Sequence, residues 1–349
     1  MAAIPLKIHE RIRELRKEKG ITQETLARAV GVTNQAVSKW ENGVTLPDIQ
    51  LLPELSILLG TSIDALFSMT DDKRMERIDN MLWDQRFLSR EEFEAEERFL
   101  KDKCLEPDAQ ARATLLLAEL YCKRAREYRE LASPLARKAI GLLPEYDKAA
   151  HTALFEAEGG VFPDWNDANH HRTIEFYKDF IARHPSQRRA YFWLLDLLID
   201  DGRCEEARAY LAKADRLETS YHSDLYRGMI LEKEGRLEEA AACWEGMTQK
   251  DPDNWQSWFA RADRLAKRCA YPEAIALYEK ALELAPRPRF TDPFNAIAQL
   301  YEIQGQYEKA IEFYQKEIEI VRQDWNETQG EAIDEPLRNI ARLKEKMIE

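Results

Sequence analysis

The feature that most constrains the fold of this 349-residue chain is a repeat in its second half. Ala240, Ala274 and Ala310 recur about 34 residues apart, and Gly235 and Gly305 precede two of them by five residues. An aromatic residue follows each alanine four positions later, as Trp244, Tyr278 and Tyr314. A period of this length is typical of stacked helix pairs, because a single pair cannot bury its own apolar face. The sequence therefore predicts an α-helical array.

The period and the order of residues resemble the tetratricopeptide repeat family. The clear repeats cover residues 188–324, and weaker matches lie around Ala95, Ala132 to Ala139 and Thr173, for up to seven helix pairs. After them, helical spacing of apolar residues predicts a cap helix over residues 331–348. The apolar residues of this cap helix are Ile333, Leu337, Ile340 and Leu343.

The first 47 residues differ from the rest of the chain in charge. The whole chain carries −13, but residues 1–47 hold eight Lys/Arg and five Glu, a local balance of +3. A mildly basic segment on an acidic chain suits a small contact with nucleic acid, although a charge of this size does not identify a partner by itself.

The pattern of residues 1–69 predicts five short helices. Gly20 ends the first helix at its C′ position, and Thr22 and Thr33 are suitable N-caps for the second and third. Ser62 caps a fifth helix, IDALF. The fourth helix should face inward through Ile49, Leu52, Leu55 and Leu58.

The third helix lies in the stretch GVTNQAVSKWENG and combines an apolar face with a polar one. Its inward residues are Ala36, Val37 and Trp40, and its outward residues are Asn34, Gln35, Ser38 and Lys39. Two short helices joined by a glycine-containing turn form a helix-turn-helix. Asn and Gln pair with adenine in the major groove and Lys with guanine acceptors. We therefore expect the third helix to read bases in double-stranded DNA.

Residues 7–67 resemble the phage-repressor type of helix-turn-helix, the XRE family, through RIRELRKEKGITQETLARAVGVTNQAVSKWENG and LPDIQLLPELSILLGTSIDALF. The resemblance implies base contacts by Asn34, Gln35 and Lys39, with Ser38 on the flank. It also implies phosphate contacts by Gln23, Thr33 and Asn42, and a structural ion pair between Arg16 and Glu41. An ordinary solvated helix-surface role remains the alternative for Gln23, Asn34 and Gln35.

These patterns predict an all-α chain with a five-helix domain at residues 1–69 and a superhelix of repeats at residues 70–349. The longest apolar runs are far shorter than the roughly 20 residues that span a bilayer, and the N-terminus lacks the pattern of a secretory signal. We therefore expect a cytoplasmic protein. The five cysteines show no C-x-x-C pair, so we expect buried, reduced thiols and no metal site.

In tetratricopeptide domains the first helix of each repeat lines a concave groove that suits an extended peptide. By that resemblance, the groove residues are Phe192, Asp196, Phe259, Asp263, Asn295 and Gln299. Asn295 and Gln299 are one turn apart and could bond a peptide backbone. Asp196 and Asp263 favour a basic ligand, and ordinary solvated helix surface is the alternative for each residue.

The order of the two domains resembles peptide-responsive regulators of the Rgg and PlcR type. That resemblance implies a DNA-binding regulator, without a cofactor, that senses a peptide or protein segment in its groove. We also expect a homodimer, since paired heads contact two half-sites. The alternative is an adaptor whose repeats hold a protein partner while the head tethers it to DNA. An enzyme has little support, because Walker, G-x-S-x-G and H-E-x-x-H motifs are absent from the sequence.

Overall fold

A computed structural model describes residues 8–61, 66, 71–142, 148–160 and 164–348. These residues form helices and connecting turns, with no strand among them, so the predicted all-α class is confirmed. The chain divides into two units, residues 1–128 and 129–349.

The first unit begins with four short helices. They are α1 (Ile8–Glu18), α2 (Gln23–Ala29), α3 (Asn34–Glu41) and α4 (Leu52–Leu59). Thr22 and Thr33 cap α2 and α3, as expected: their hydroxyl oxygens accept from the backbone N–H of Thr25 at 3.1 Å and of Ala36 at 3.2 Å. Gly20 follows α1 with φ of 66°, the left-handed conformation that ends a helix at low cost for glycine.

One apolar core joins these four helices. Ile12, Leu26, Val37 and Leu55 have no exposed surface, which fixes α3 against its neighbours. The inward orientation predicted for Ile49 is wrong, because this residue is 77% exposed. Ile49 begins a short 3-10 turn, Ile49–Leu51, whose tighter winding breaks the helical phase assumed from the sequence.

The predicted fifth helix, with its cap Ser62, lies outside the described residues except for Leu66, which is buried in this core. The predicted domain boundary between residues 69 and 70 also lies outside them. That boundary stays a prediction.

Three further helices complete the first unit, the last of which continues into the second. They are α5 (Asp71–Asp84), α6 (Arg90–Lys103) and α7 (Gln110–Leu142). The helix pair predicted around Ala132 to Ala139 is wrong, because the chain forms the single 33-residue helix α7 there. Alanine, leucine and long polar residues favour a helix, glycine is absent between residues 110 and 140, and Pro134 is accommodated within α7.

The second unit continues with helices of 4 to 18 residues. They are α8 (Lys148–Glu158), α9 (Trp165–Ala168), α10 (His171–Arg183), α11 (Arg188–Asp200), α12 (Cys204–Leu217), α13 (Tyr221–Lys233), α14 (Leu237–Lys250), α15 (Trp255–Lys267), α16 (Tyr271–Leu284), α17 (Asp292–Ile303), α18 (Tyr307–Asp324) and α19 (Glu331–Lys346).

Consecutive helices from α11 to α18 pack as four pairs, and α19 packs on α18. The repeated alanines Ala240, Ala274 and Ala310 are fully buried where the two helices of a pair meet. First helices of neighbouring pairs also touch, since α11 contacts α13 and α13 contacts α15. The array is therefore solenoid-like, as predicted.

The closing helix α19 buries Ile333, Ile340 and Leu343 against this array. Leu337 is 46% exposed, so its predicted inward position is wrong. The buried side of α19 includes Pro336 instead.

Two predictions about the whole chain can also be compared with the structure. All five cysteines are unpaired, but Cys122 and Cys269 are exposed and the other three are only half-buried, so the expectation of buried thiols is wrong. No helix among the described residues is long and apolar enough to cross a membrane.

Candidate functional site

The exposed face of α3 carries the side chains predicted to read bases. Asn34, Gln35 and Lys39 are exposed, whereas Val37 and Trp40 are buried on the opposite face. The remaining predicted base-contacting residue, Ser38, is half-buried and its hydroxyl faces the amide of Asn42 at 3.4 Å. A helix with polar side chains on one face can enter a major groove and present hydrogen-bond donors and acceptors there.

An ion pair between Arg16 on α1 and Glu41 on α3 fixes the orientation of this helix. The guanidinium donates two hydrogen bonds to the carboxylate, from Nε at 2.5 Å and from Nη2 at 3.0 Å. Its remaining nitrogen, Nη1, donates to the carbonyl of Ile21 at 2.7 Å, just before α2. Arg16 therefore connects α1 to α3 and to the residue that precedes the N-cap of α2.

The charge of Glu41 is retained inside the core. Burial opposes its ionisation, but hydrogen bonds from Arg16 and Gln23 outweigh burial and hold the pKa of Glu41 below its ordinary value. Glu41 is therefore ionised at neutral pH, and its two partners are part of one network.

The side chains predicted to contact phosphates already form hydrogen bonds within the domain; they belong to Gln23, Thr33 and Asn42. Gln23 donates one amide N–H to Glu41 at 2.8 Å, which leaves its second N–H for a phosphate. Thr33 is exposed at the start of α3 and Asn42 is exposed at its end. The three roles remain predictions.

The predicted groove residues all lie on first helices of the repeats. Phe192 and Asp196 are on α11, Phe259 and Asp263 are on α15, and Asn295 and Gln299 are on α17. Asp196 borders a cavity of about 550 Å³ together with Met229 of α13 and Arg264 and Lys267 of α15. This cavity shows that three successive first helices contribute to one surface.

An aromatic cluster forms the middle of this surface. Phe259 lies 5.5 Å from Tyr278 and 6.2 Å from Phe290, and Trp255 lies 6.0 Å from Phe290. The hydroxyl of Tyr278 donates to Asp263 at 2.5 Å. Burial raises the pKa of Asp263, and this hydrogen bond and the charges of Arg264 and Lys267 oppose the rise. Trp255 and Phe290 were not predicted from the sequence, although both are aromatic residues near the start of a first helix.

The two polar residues of α17 bond to each other. Gln299 Nε2 donates to Asn295 Oδ1 at 2.5 Å, so the pair must separate, or use its remaining donors, to bind a peptide backbone. At the other end, Phe192 stacks on His222 with 4.2 Å between ring centroids. Burial, reinforced by the charge of Arg188, lowers the pKa of His222 to about 4, so this ring is neutral at pH 7.

Comparison with known proteins agrees with both parts of the chain. A family model described as Helix-turn-helix matches residues 12–66. Two models described as Tetratricopeptide repeat match residues 174–220 and 226–287, and residues 292–323. The fold and its exposed third helix thus define a helix-turn-helix DNA-binding protein with tetratricopeptide repeats.

Curated relatives match the N-terminal part. A transcriptional regulator of Methanothermobacter thermautotrophicus is 42% identical over 62 residues, which cover 18% of this chain and 90% of the relative. The chain belongs to the family of HTH-type transcriptional regulators.

Two other relatives are matched over a smaller part of their length. The prophage-derived regulator YonR of Bacillus subtilis is 39% identical over 61 residues, 18% of this chain and 56% of the relative. The activator BcrR of Enterococcus faecalis is 36% identical over 63 residues, 18% of this chain and 31% of the relative. The chain thus spans about half and about a third of these two proteins.

Solved structures resemble the chain only distantly. MamA has a TM-score of 0.31 and 18% identity, and covers 52% of this chain and 99% of its own. Bacillus thuringiensis PlcR in complex with the peptide PapR7 and DNA has a TM-score of 0.23 and 12% identity, and covers 88% and 99%. Similarities of this size do not bear on function.

Proposed function

We propose that this regulator binds a specific DNA operator as a homodimer and that a peptide or protein segment in its repeat groove changes its affinity for that operator. The observation that carries the proposal is an aromatic cluster of half-buried Trp255 and Phe259 with exposed Phe290, which Tyr278 links to Asp263. Aromatic side chains next to a few polar groups are typical of a surface that anchors a ligand.

Ligand binding alters DNA binding only if the ligand favours one arrangement of the protein over another. Adjacent repeats offer such arrangements, because small rotations between units add along an array. A coupling free energy of about 1 to 3 kcal/mol is typical and corresponds to roughly 5- to 150-fold in DNA affinity.

The test begins with DNA selected from random oligonucleotides by the full-length protein, followed by affinity measurements with peptide fractions of the host. We expect an active fraction to change operator affinity within that range. Phe259→Ala and Asn295→Ala should abolish the response and leave ligand-free DNA binding intact. Trp83→Ala, which removes an aromatic side chain that is 75% exposed in the first unit, serves as the control.

Two results would count against the proposal. If operator affinity stays constant across all fractions, ligand sensing is wrong. If the repeats instead retain a folded protein from the extract without any effect on DNA affinity, the adaptor alternative gains support.

A further inference from the structure

The last repeat contains a carboxylate at a position that is apolar in the other repeats. The residues seven positions after Ala207, Ala240 and Ala274 are Ala214, Met247 and Ala281, and each is at most 1% exposed. The corresponding residue after Ala310 is Glu317, which is 8% exposed. A side chain that normally packs between helices is therefore replaced by an acid.

Glu317 is buried without full hydrogen bonding. Among the described residues, its oxygen Oε2 has no hydrogen-bond partner and almost no contact with solvent. Burial raises the pKa of Glu317 to about 8; the charges of Glu335 and Asp292 add to this, and the amide of Asn295 opposes it. An unpaired carboxyl group in such surroundings is costly unless a proton or a cation compensates it.

The acids around Glu317 also lack counter-charges. Asp292 begins α17 and Glu335 lies on α19, and both are exposed. Neither they nor Glu317 form an ion pair with any described residue, and the charges that act on Asp292 and Glu317 are all acidic. Arg338 acts electrostatically on Glu335 but is ion-paired with Glu331, so the negative charge at this end of the groove is only partly balanced.

Neighbouring cations do not supply the missing charge. Arg342 donates to Glu302 at 2.8 Å and Arg338 donates to Glu331 at 3.1 Å, so both guanidinium groups are engaged. The middle of the groove differs, because burial raises the pKa values of Asp196 and Asp263 but the positive charges of Arg264 and Lys267 oppose that rise. The sequence-based expectation of a basic ligand at Asp196 and Asp263 thus fits the end near Glu317 better.

A cavity accompanies this acidic end. It has about 470 Å³ and is lined by Gln299, Glu302, Ile303, Tyr314, Glu335, Asn339, Arg342 and Lys346. The two cations among them both pair with Glu302. Tyr314 lies one turn before Glu317 on α18, and Glu335 acts electrostatically on both. Acceptor oxygens of Gln299, Glu335 and Asn339 therefore border this space, and the two cations that also border it are already paired with Glu302.

We propose that the end of the groove formed by Asp292, Glu317 and Glu335 binds the positively charged side chain of a lysine or arginine in a peptide ligand. This inference rests on the proposed ligand-sensing function and names the chemistry of the ligand. Carboxylates and the amides of Asn295 and Gln299 fit an ammonium or guanidinium group, since each offers acceptor oxygens. The bound cation supplies the positive counter-charge that the Glu317 carboxylate lacks in the free protein.

The test uses an array of random heptapeptides probed with the full-length protein. We expect peptides with Lys or Arg to dominate the binders, and replacement of the critical Lys by norleucine to weaken a selected peptide by about tenfold or more. Glu317→Ala and Glu335→Gln should remove this preference while binding of the apolar part of the peptide persists. Alanine at position 317 should fold, because Ala214 and Ala281 occupy the equivalent positions.

A pH series gives an independent readout. Cation binding should expel the proton from Glu317, so the affinity for a lysine peptide should rise between pH 6.5 and about 8.5 in the natural protein and less in Glu317→Ala. Asp292 from α17 and Glu335 from α19 face the same group and act in the same sense. Glu319→Ala, at an exposed position of α18, is the matched control and should change neither preference nor pH dependence.

The outcomes separate the two proposals. If peptides bind without a preference for Lys or Arg, or if Glu317→Ala and Glu335→Gln keep that preference, the cation site is wrong and the sensing function stands. If no peptide binds and no host fraction changes DNA affinity, both are wrong. If Glu317→Ala does not fold, Glu335→Gln at its exposed position decides the question alone.

Discussion

At the scale of single residues, the ion pair between Arg16 and Glu41 should determine whether the DNA-binding domain is folded. Only 1% of the Glu41 side chain and 12% of the Arg16 side chain are exposed. Glu41→Gln leaves a buried guanidinium without its counter-charge, which costs about 3 to 5 kcal/mol. Hydrogen exchange of the amides of α1 to α3 should report this loss as a lower free energy of local opening.

An exposed pair in the same domain provides the control. Arg28 and Glu24 form an ion pair at 3.1 Å, but 79% and 71% of their side chains are exposed. Glu24→Gln should therefore change the opening free energy by less than about 1 kcal/mol. Equal effects of the two substitutions would show that burial of the Arg16–Glu41 pair does not increase its contribution to the opening free energy.

Residue positions were predictable where a local rule fixes them. Thr22, Thr33 and Gly20 end or begin helices by their own chemistry, and the structure places them as expected. Ile49 was missed because apolar spacing does not distinguish a 3-10 turn from an α-helix. Glu317 was missed although an alignment of the repeats at their alanines would have exposed it.

At the scale of elements, α3 should separate sequence reading from phosphate binding. Gln35 is exposed on the outer face of α3, so Gln35→Ala should cost roughly 1 to 3 kcal/mol on the selected operator and relax the preference at one base pair. Asn42 follows the helix, and Asn42→Ala should weaken all DNA sequences alike. Titration of selected and random duplexes with each variant measures both effects.

Lys39 provides a second comparison on the same helix. Because Lys39 is exposed one turn after Gln35, Lys39→Met should reduce specificity and also make binding less sensitive to salt. If Gln35→Ala lowered specific and non-specific affinity equally, its assignment to base reading would be wrong.

His222 lies on α13, the first helix of its repeat, and should make the stability of the repeats depend on pH. The pKa of His222 is lowered to about 4 in the fold, mainly by burial, against about 6.5 in an unfolded chain. Its stabilising effect is therefore complete above about pH 6.5 and is lost as the pH falls from 6.5 toward 4, since only the unfolded chain then takes up the proton.

His222→Phe should remove this dependence and keep the ring against Phe192. Hydrogen exchange of α13 at pH 7.5 and 5 should show protection falling in the natural protein and changing less in the variant. His171→Gln, at an exposed histidine, is the control and should behave like the natural protein. An unchanged pH dependence in His222→Phe would contradict the assignment.

The type of most elements could be predicted, but one long element could not. The repeat period located α11 to α18, because buried alanines and aromatic residues must recur where helices pair. The single helix α7 escaped prediction, since apolar spacing is the same whether a helix continues or turns back. The candidate sites differ in the same way. The exposed face of α3 was predicted from its polar residues alone, whereas the cluster around Glu317 depends on the packing of α17, α18 and α19, which the sequence does not show directly.

At the scale of the whole molecule, we expect a homodimer held together by the repeats. One head exposes Asn34, Gln35 and Lys39 on the face of α3 predicted to read bases, and this is a small set of contacts for a specific site. Two heads on half-sites about 34 Å apart double those contacts. The selected operator should therefore be a palindrome with half-sites one or more helical turns apart.

Light scattering of the full-length protein tests this expectation, because a dimer has twice the 40.7 kDa mass of one chain. We expect the dimer at tens of micromolar without DNA, and an unchanged mass for Gln35→Ala, whose side chain is on the DNA face. Salt should weaken DNA binding steeply and leave the dimer intact, since phosphate contacts depend on counterion release whereas an apolar protein interface does not. A strictly monomeric protein that binds a single, asymmetric half-site would contradict the prediction, and ligand control would then have to act within one chain.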